Sequence, residues 1–176
     1  PGLTLALEEV DQFEAVMKTA EKAIRNFIYE EPVGYKIYEM EHPDVLLWAV
    51  WALQQYAKET SREQCRQKYG ELLKDIMEFI RQRKHENLFL HDNGLLFAYV
   101  MYKAITWMNF IVNGHTVIRR TGYIVEFNAL WYNALRFIAD LVREGGDVYL
   151  ADELDAQAEV TGKSFVEVFR NECGYL

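Results

Sequence analysis

Asp44, Arg120, Glu126 and Asn128 place two carboxylates, a guanidinium and an amide near the starts of two strongly apolar segments. Between those segments, Thr106-Trp107-Met108-Asn109 adds a hydroxyl, an indole and a second amide. Such a set suits a ligand rich in hydroxyls: carboxylates and carbonyls accept, guanidinium and amide donate, and indoles such as Trp107 and Trp131 offer flat faces to a sugar ring. Each residue also has a plainer reading. Asp44 beside Pro43 suits a helix cap, Glu126 the positive end of a helix dipole, and Trp107 and Trp131 a core. What argues for a site is a shared location.

The elements that must create this location are helices. Only 3 Pro and 10 Gly punctuate 176 residues, leaving long segments between them. Phe13, Val16, Met17, Ala20, Ile24, Phe27 and Ile28 recur at three-four spacing, predicting a helix over 11–29 with Asp11 as its cap. Residues 45–57 are apolar around nearly the whole circumference, as in a helix surrounded by other elements. Ser61 and Gln64 form a capping-box signature for a third helix running to about Arg83. A fourth, 125–141, is again apolar on most sides and closes at Gly145-Gly146. A fifth stripe runs from Leu150 to Phe169 despite Gly162. Around Asp92-Asn93-Gly94, short apolar runs predict a small β-hairpin near 88–97.

Striped and wholly apolar helices in alternation predict an all-α fold of two-layered helical hairpins, in the manner of an α/α toroid. No self-similarity appears at the usual repeat periods. If consecutive helices alternate in direction, the two inner ones run parallel and their leading ends meet at one rim. Asp44, Arg120, Glu126 and Asn128 would gather there.

Composition sets the outer bounds. A 51% hydrophobic chain of this length carries one sizeable core, which excludes disorder. The net charge of −8 argues against nucleic acid and anionic lipid as partners. No stretch is apolar enough to span a bilayer, and the first residues show no secretory signal. Cys65 and Cys173 stand alone and fit a reducing, cytoplasmic setting. His42, His85, His91 and His115 are scattered, so neither a metal nor another cofactor is expected. Phosphate-loop, zincin and nucleophile-elbow motifs are missing.

PGLTL at 1–5, DVLLWAVWALQQY at 44–56, LFLHDNGLLFA at 88–98, TWMN at 106–109 and VEFNALWYNAL at 125–135 occur in this order. Together they resemble the glucosidase domain of glycogen debranching enzymes, whose patterns look like PGLTL, DATLWF, DGLLYA, TWMD and PVEINALWYNAL. The resemblance implies an (α/α)6 toroid that hydrolyses α-1,6-linked glucose at a branch stub with inversion, and an α-glucan partner such as glycogen or limit dextrin. A full barrel of average helices and loops needs at least roughly 190 residues. The chain is therefore expected to form, over 1–176, a single partial domain of about half the toroid, excised from a larger polypeptide. Apolar surface left open by such a truncation predicts a homodimer.

By the same resemblance, Asn109 occupies the general-acid position, where the family has Asp, and the general base lies beyond Leu176. Inverting glycosidases need two carboxyl groups roughly 6.5–9.5 Å apart. An amide supplies no proton, and losing acid assistance costs about 10²–10⁴-fold in rate. Tyr123 stands where the family has lysine, while Arg120, Glu126, Asn128 and Trp131 match. The implied profile is retained glucan binding at Asp44, Trp107, Arg120, Glu126, Asn128 and Trp131, with catalysis weakened or lost. Glu126 and Asp92 are the other carboxylates that could supply the proton.

Overall fold

The computed structural model describes residues 2–29, 42–100, 106, 111–113, 115–116, 120–171 and 173–174. Six helices and five short strands occur among them: α1 (Gly2–Ala6), α2 (Val10–Tyr29), α3 (Asp44–Glu59), α4 (Arg62–Arg81), β1 (Leu88–Leu90), β2 (Leu96–Ala98), β3 (Ile111–Val112), β4 (His115–Thr116), β5 (Gly122–Tyr123), α5 (Val125–Glu144) and α6 (Val148–Phe169). The mostly helical expectation and its small hairpin hold. The five predicted helices are α2 to α6; α1, too short to show a period, is additional. Asp11 is not the cap of α2. That helix begins at Val10, and Phe13 N–H already donates to the Glu9 carbonyl, so Asp11 lies inside the first turn.

Two side-chain caps start helices, the first where the capping-box signature places it. Ser61 Oγ accepts from Gln64 N–H at 3.1 Å to start α4, and Asp147 accepts from Leu150 N–H at 3.1 Å to start α6. Between these helices, α5 ends at Glu144, and Gly146 takes a positive φ of 91° to reverse the chain.

One core joins the helices, centred on α5, which buries Phe127, Leu130, Trp131, Leu135 and Ile138 among others. Phe13 of α2 stacks on Tyr56 of α3, ring centroids 5.1 Å apart, and Tyr56 meets Tyr69 of α4 edge-on. Glu14 accepts from both Tyr56 Oη and Lys68 Nζ, tying these three helices together. That geometry lowers the Glu14 pKa, chiefly through Lys68 and then Tyr56. The expectation for α3 is met only on one side. Leu46, Leu47, Val50 and Leu53 are buried, but Trp48 and Trp51, packed edge-on, remain 38% and 39% exposed.

Helix directions follow from side-chain pairings. Arg62, at the start of α4, pairs with Asp140 and Glu144 at the end of α5, so α4 and α5 are antiparallel. The short α3–α4 connection and the contact of Cys65 Sγ with the Leu53 carbonyl make that pair antiparallel too. Helices α3 and α5 therefore run the same way, and a reciprocal amide pair, Gln54 with Asn133 at 3.1 and 2.9 Å, joins them midway.

A three-stranded antiparallel sheet, ordered β1-β2-β5, lies against α4 and α5. Its register pairs Phe89 with Phe97 and Phe97 with Tyr123. Leu88, Leu90, Leu96 and Ala98 face the core. β3 and β4 form a separate two-stranded pairing.

Candidate functional site

Asp44 is the first residue of α3 and only 2% exposed. Glu126 lies in the first turn of α5, where helix N–H groups favour a carboxylate. Counted back from the Gln54–Asn133 pair, Asp44 lies ten residues up its helix and Glu126 seven up its own. At 1.5 Å per residue both sit toward the same end, staggered by roughly 4–5 Å along the axes. The predicted parallel arrangement of α3 and α5 is thus present, and it brings Asp44 and Glu126 to one end.

Arg120, just before β5, pairs with Glu126 across the strand, and both side chains are about a quarter exposed. The pair spans the point where the chain turns from β5 into α5. There the guanidinium keeps further donors and the carboxylate further lone pairs for a hydroxyl-rich ligand. Spacing alone did not disclose this contact, because β5 has only two residues and carries no readable period.

Asn128 and Trp131 lie deeper than the rim. Asn128 is fully buried: its Oδ1 accepts from Leu96 N–H at 2.7 Å, and its Nδ2 donates to the carbonyls of Leu96 and Ile124, each at 3.0 Å. His91 N–H donates to the Leu95 carbonyl and Tyr99 N–H to the Asn87 carbonyl, so Leu96 turns its own peptide groups away from β1. The β2–β5 ladder would reach Leu96 opposite Ile124, where β5 gives way to helix. The Asn128 carboxamide continues the ladder at that step. Trp131 is likewise enclosed, its Nε1–H donating to the Gly94 carbonyl at 3.2 Å. Both side chains hold the hairpin from beneath, a role their residue types alone did not announce.

Thr106 is buried. Trp107 and Asn109 lie outside the described residues. Asp92, fully exposed, pairs with Arg83 at 2.9 Å. Among the described residues no group of three His, Cys, Asp or Glu side chains is placed to hold a metal ion, and no helix is long and apolar enough to cross a membrane. Cys65 is free and buried, with burial pushing its thiol up to about 12, while Cys173 is free and exposed.

A family model described as amylo-alpha-1,6-glucosidase matches residues 15–175. The chain belongs to this family. No curated protein and no solved structure matches the chain. The span matched to the amylo-alpha-1,6-glucosidase family takes in most of α2 and all of α3 to α6, and with them Asp44, the Arg120–Glu126 pair and the hairpin that Asn128 and Trp131 anchor.

The amylo-alpha-1,6-glucosidase family member has a further surface at this sheet. Phe89, Phe97 and Tyr123 lie side by side across the three strands on the face turned from the core. The alternation in LFLHDNGLLFAY is the signal for them, legible only once the strands are paired.

Proposed function

We propose that this chain is the α-glucan-recognition part of a glycogen-debranching-type α-1,6-glucosidase domain, forming about half of an (α/α)6 toroid within a larger cytoplasmic polypeptide. In this reading Asp44, Arg120 and Glu126 hold sugar hydroxyls at the common end of α3 and α5, and Trp107 supplies a stacking face. Asn128 and Trp131 act from below, fixing the backbone that carries the rim. Asn109 stands in the general-acid position, so glycosidic cleavage lacks its proton donor and binding outlasts catalysis.

The observation that carries the reading is the shared end of Asp44 and the Arg120–Glu126 pair, in a chain matched to this glucosidase family over 15–175. The experiment is reversion. Asn109→Asp in the full-length polypeptide is expected to raise glucose release from a branched limit dextrin by at least about 10²-fold. Retention on glycogen with continued silence of the reverted protein would show a loss wider than one side chain and overturn the assignment of Asn109.

A second reading, an interaction module that pairs with its own copy, draws on an open groove between α5 and α6. Tyr132, Ala158, Gly162, Phe165 and Val166 line it. Sedimentation as a monomer at high concentration would remove that reading.

A further inference from the structure

The outer face of the β1-β2-β5 sheet carries rings where a solvent face ordinarily carries polar side chains. The Phe89, Phe97 and Tyr123 row is lengthened by His91, which stacks on Phe97 with centroids 5.0 Å apart and planes 13° from parallel. Tyr123 meets His91 and Phe97 edge-on, both at 5.5 Å. Tyr99, two residues past Phe97, continues the same alternation. Within this strip Phe89 is 36% exposed and Tyr99 47%. None of these residues belongs to the rim described above.

The strip has a polar margin. Tyr123 Oη lies 2.8 Å from His91 Nδ1 and receives Asn93 Nδ2–H at 3.3 Å, and the Asp92 carboxylate stands in solvent beside them. A cluster of rings edged by hydrogen-bonding groups, with Tyr123 edge-on to the stacked His91 and Phe97, suits a pyranose ring, whose C–H faces are apolar and whose equatorial hydroxyls project from the edge. Nucleic-acid bases also stack on rings, but a chain of net charge −8 repels the phosphates that come with them. Three strands about 4.8 Å apart give a row roughly 10 Å across, room for about two consecutive glucose units. The strip is also continuous with the rim, because Tyr123 precedes Glu126 by three residues and β5 runs directly into α5.

We propose that this sheet face binds the linear α-1,4-linked run of the glucan, holding chain units next to the one seated at the rim. The assignment rests on the glucan reading above and adds a second contact to it.

The test is titration of the chain with maltoheptaose, followed by proton–carbon ring spectra and by calorimetry. Ring signals of Phe89, His91 and Tyr99 are expected to shift. The double substitution Phe89→Ala with Tyr99→Ala is expected to weaken binding about tenfold while lowering the melting temperature by only a few degrees, since both side chains are partly exposed, with affinity measured well below the transition. Phe97→Tyr, which keeps the flat ring, is expected to keep the affinity. Unshifted rings in a protein still retained on glycogen would overturn the strip and leave the glucan reading standing. A protein that binds neither glycogen nor maltoheptaose would remove both. Ring signals that move with protein concentration instead of with maltoheptaose would assign the face to contact between copies, and the proposal would fall.

Discussion

Replacing Asn128 by alanine separates a residue that touches ligand from one that builds the site. The carboxamide makes three hydrogen bonds in a fully buried setting, two to Leu96 and one to the Ile124 carbonyl. At about 1 kcal/mol net for each bond the loss is about 3 kcal/mol, and more where Leu96 N–H is left without a partner, since an unsatisfied buried donor costs about 1–3 kcal/mol. For a chain of this size that corresponds to a fall in melting temperature of about 6–12 °C. The conservative Asn128→Asp retains the acceptor for Leu96 N–H but aims carboxylate oxygen at two carbonyls, so it is expected to be no better than alanine. Thermal and urea unfolding followed by tryptophan fluorescence give the numbers, with retention on glycogen measured well below the transition. An Asn128→Ala protein within about 2 °C of the parent that no longer held glycogen would refute the reasoning and turn the amide back toward the ligand.

Gly94 and His85 give two further expectations. Gly94 has φ +79°, and a Cβ there would lie 2.9 Å from Thr161 Oγ1 and 3.1 Å from Thr161 N. Gly94→Ala should therefore cost about 2 kcal/mol or more and alter the emission of Trp131, which donates to this residue's carbonyl. His85 is buried between Phe27 and Phe79, with Nδ1 accepting from Asn87 N–H at 3.0 Å, and burial lowers its pKa to about 4. The folded value lies below the unfolded value of about 6.5, so the unfolded chain takes up the proton first and stability falls as pH drops through that window, levelling below about pH 4. The contribution is about 2 kcal/mol between about pH 7 and about pH 5. Urea unfolding of the parent and His85→Phe at both pH values should show the parent losing that much more stability than the variant on acidification; equal losses would show no contribution from His85.

Helices α2 to α6 were legible because each buries a face wide enough to repeat several times in the sequence, as Phe13, Met17 and Ile24 do in α2. The common end of α3 and α5 was legible from the expectation that successive helices alternate in direction: a short connection reverses α3 into α4, and α5, reached through the strands, runs antiparallel to α4 again. Elements without room for a period escaped. α1 has five residues and β5 two, yet β5 is what brings Arg120 to Glu126 and Tyr123 to Phe97. Asn128 shows a different limit. Its type and position suggested hydrogen bonding, but whether the partner is a ligand or the chain itself depends on a strand thirty-two residues away in sequence. The full apolar girth of α3 misled in the other direction, since Trp48 and Trp51 are bulky enough to pack on each other and still meet water.

The Gly94 carbonyl is grasped twice, by the Trp131 indole from α5 and by the Thr161 hydroxyl, 2.9 Å away, from α6. With the clasp at Leu96, the ribbon is fastened at two points to helices that are themselves cross-linked by Arg136 and Arg143 to Asp155. A strip pinned twice can neither pivot nor slide, so its rings keep their spacing before anything lands on them. Whatever settles there loses its own freedom without first having to organise the protein's, and discrimination then falls to fit.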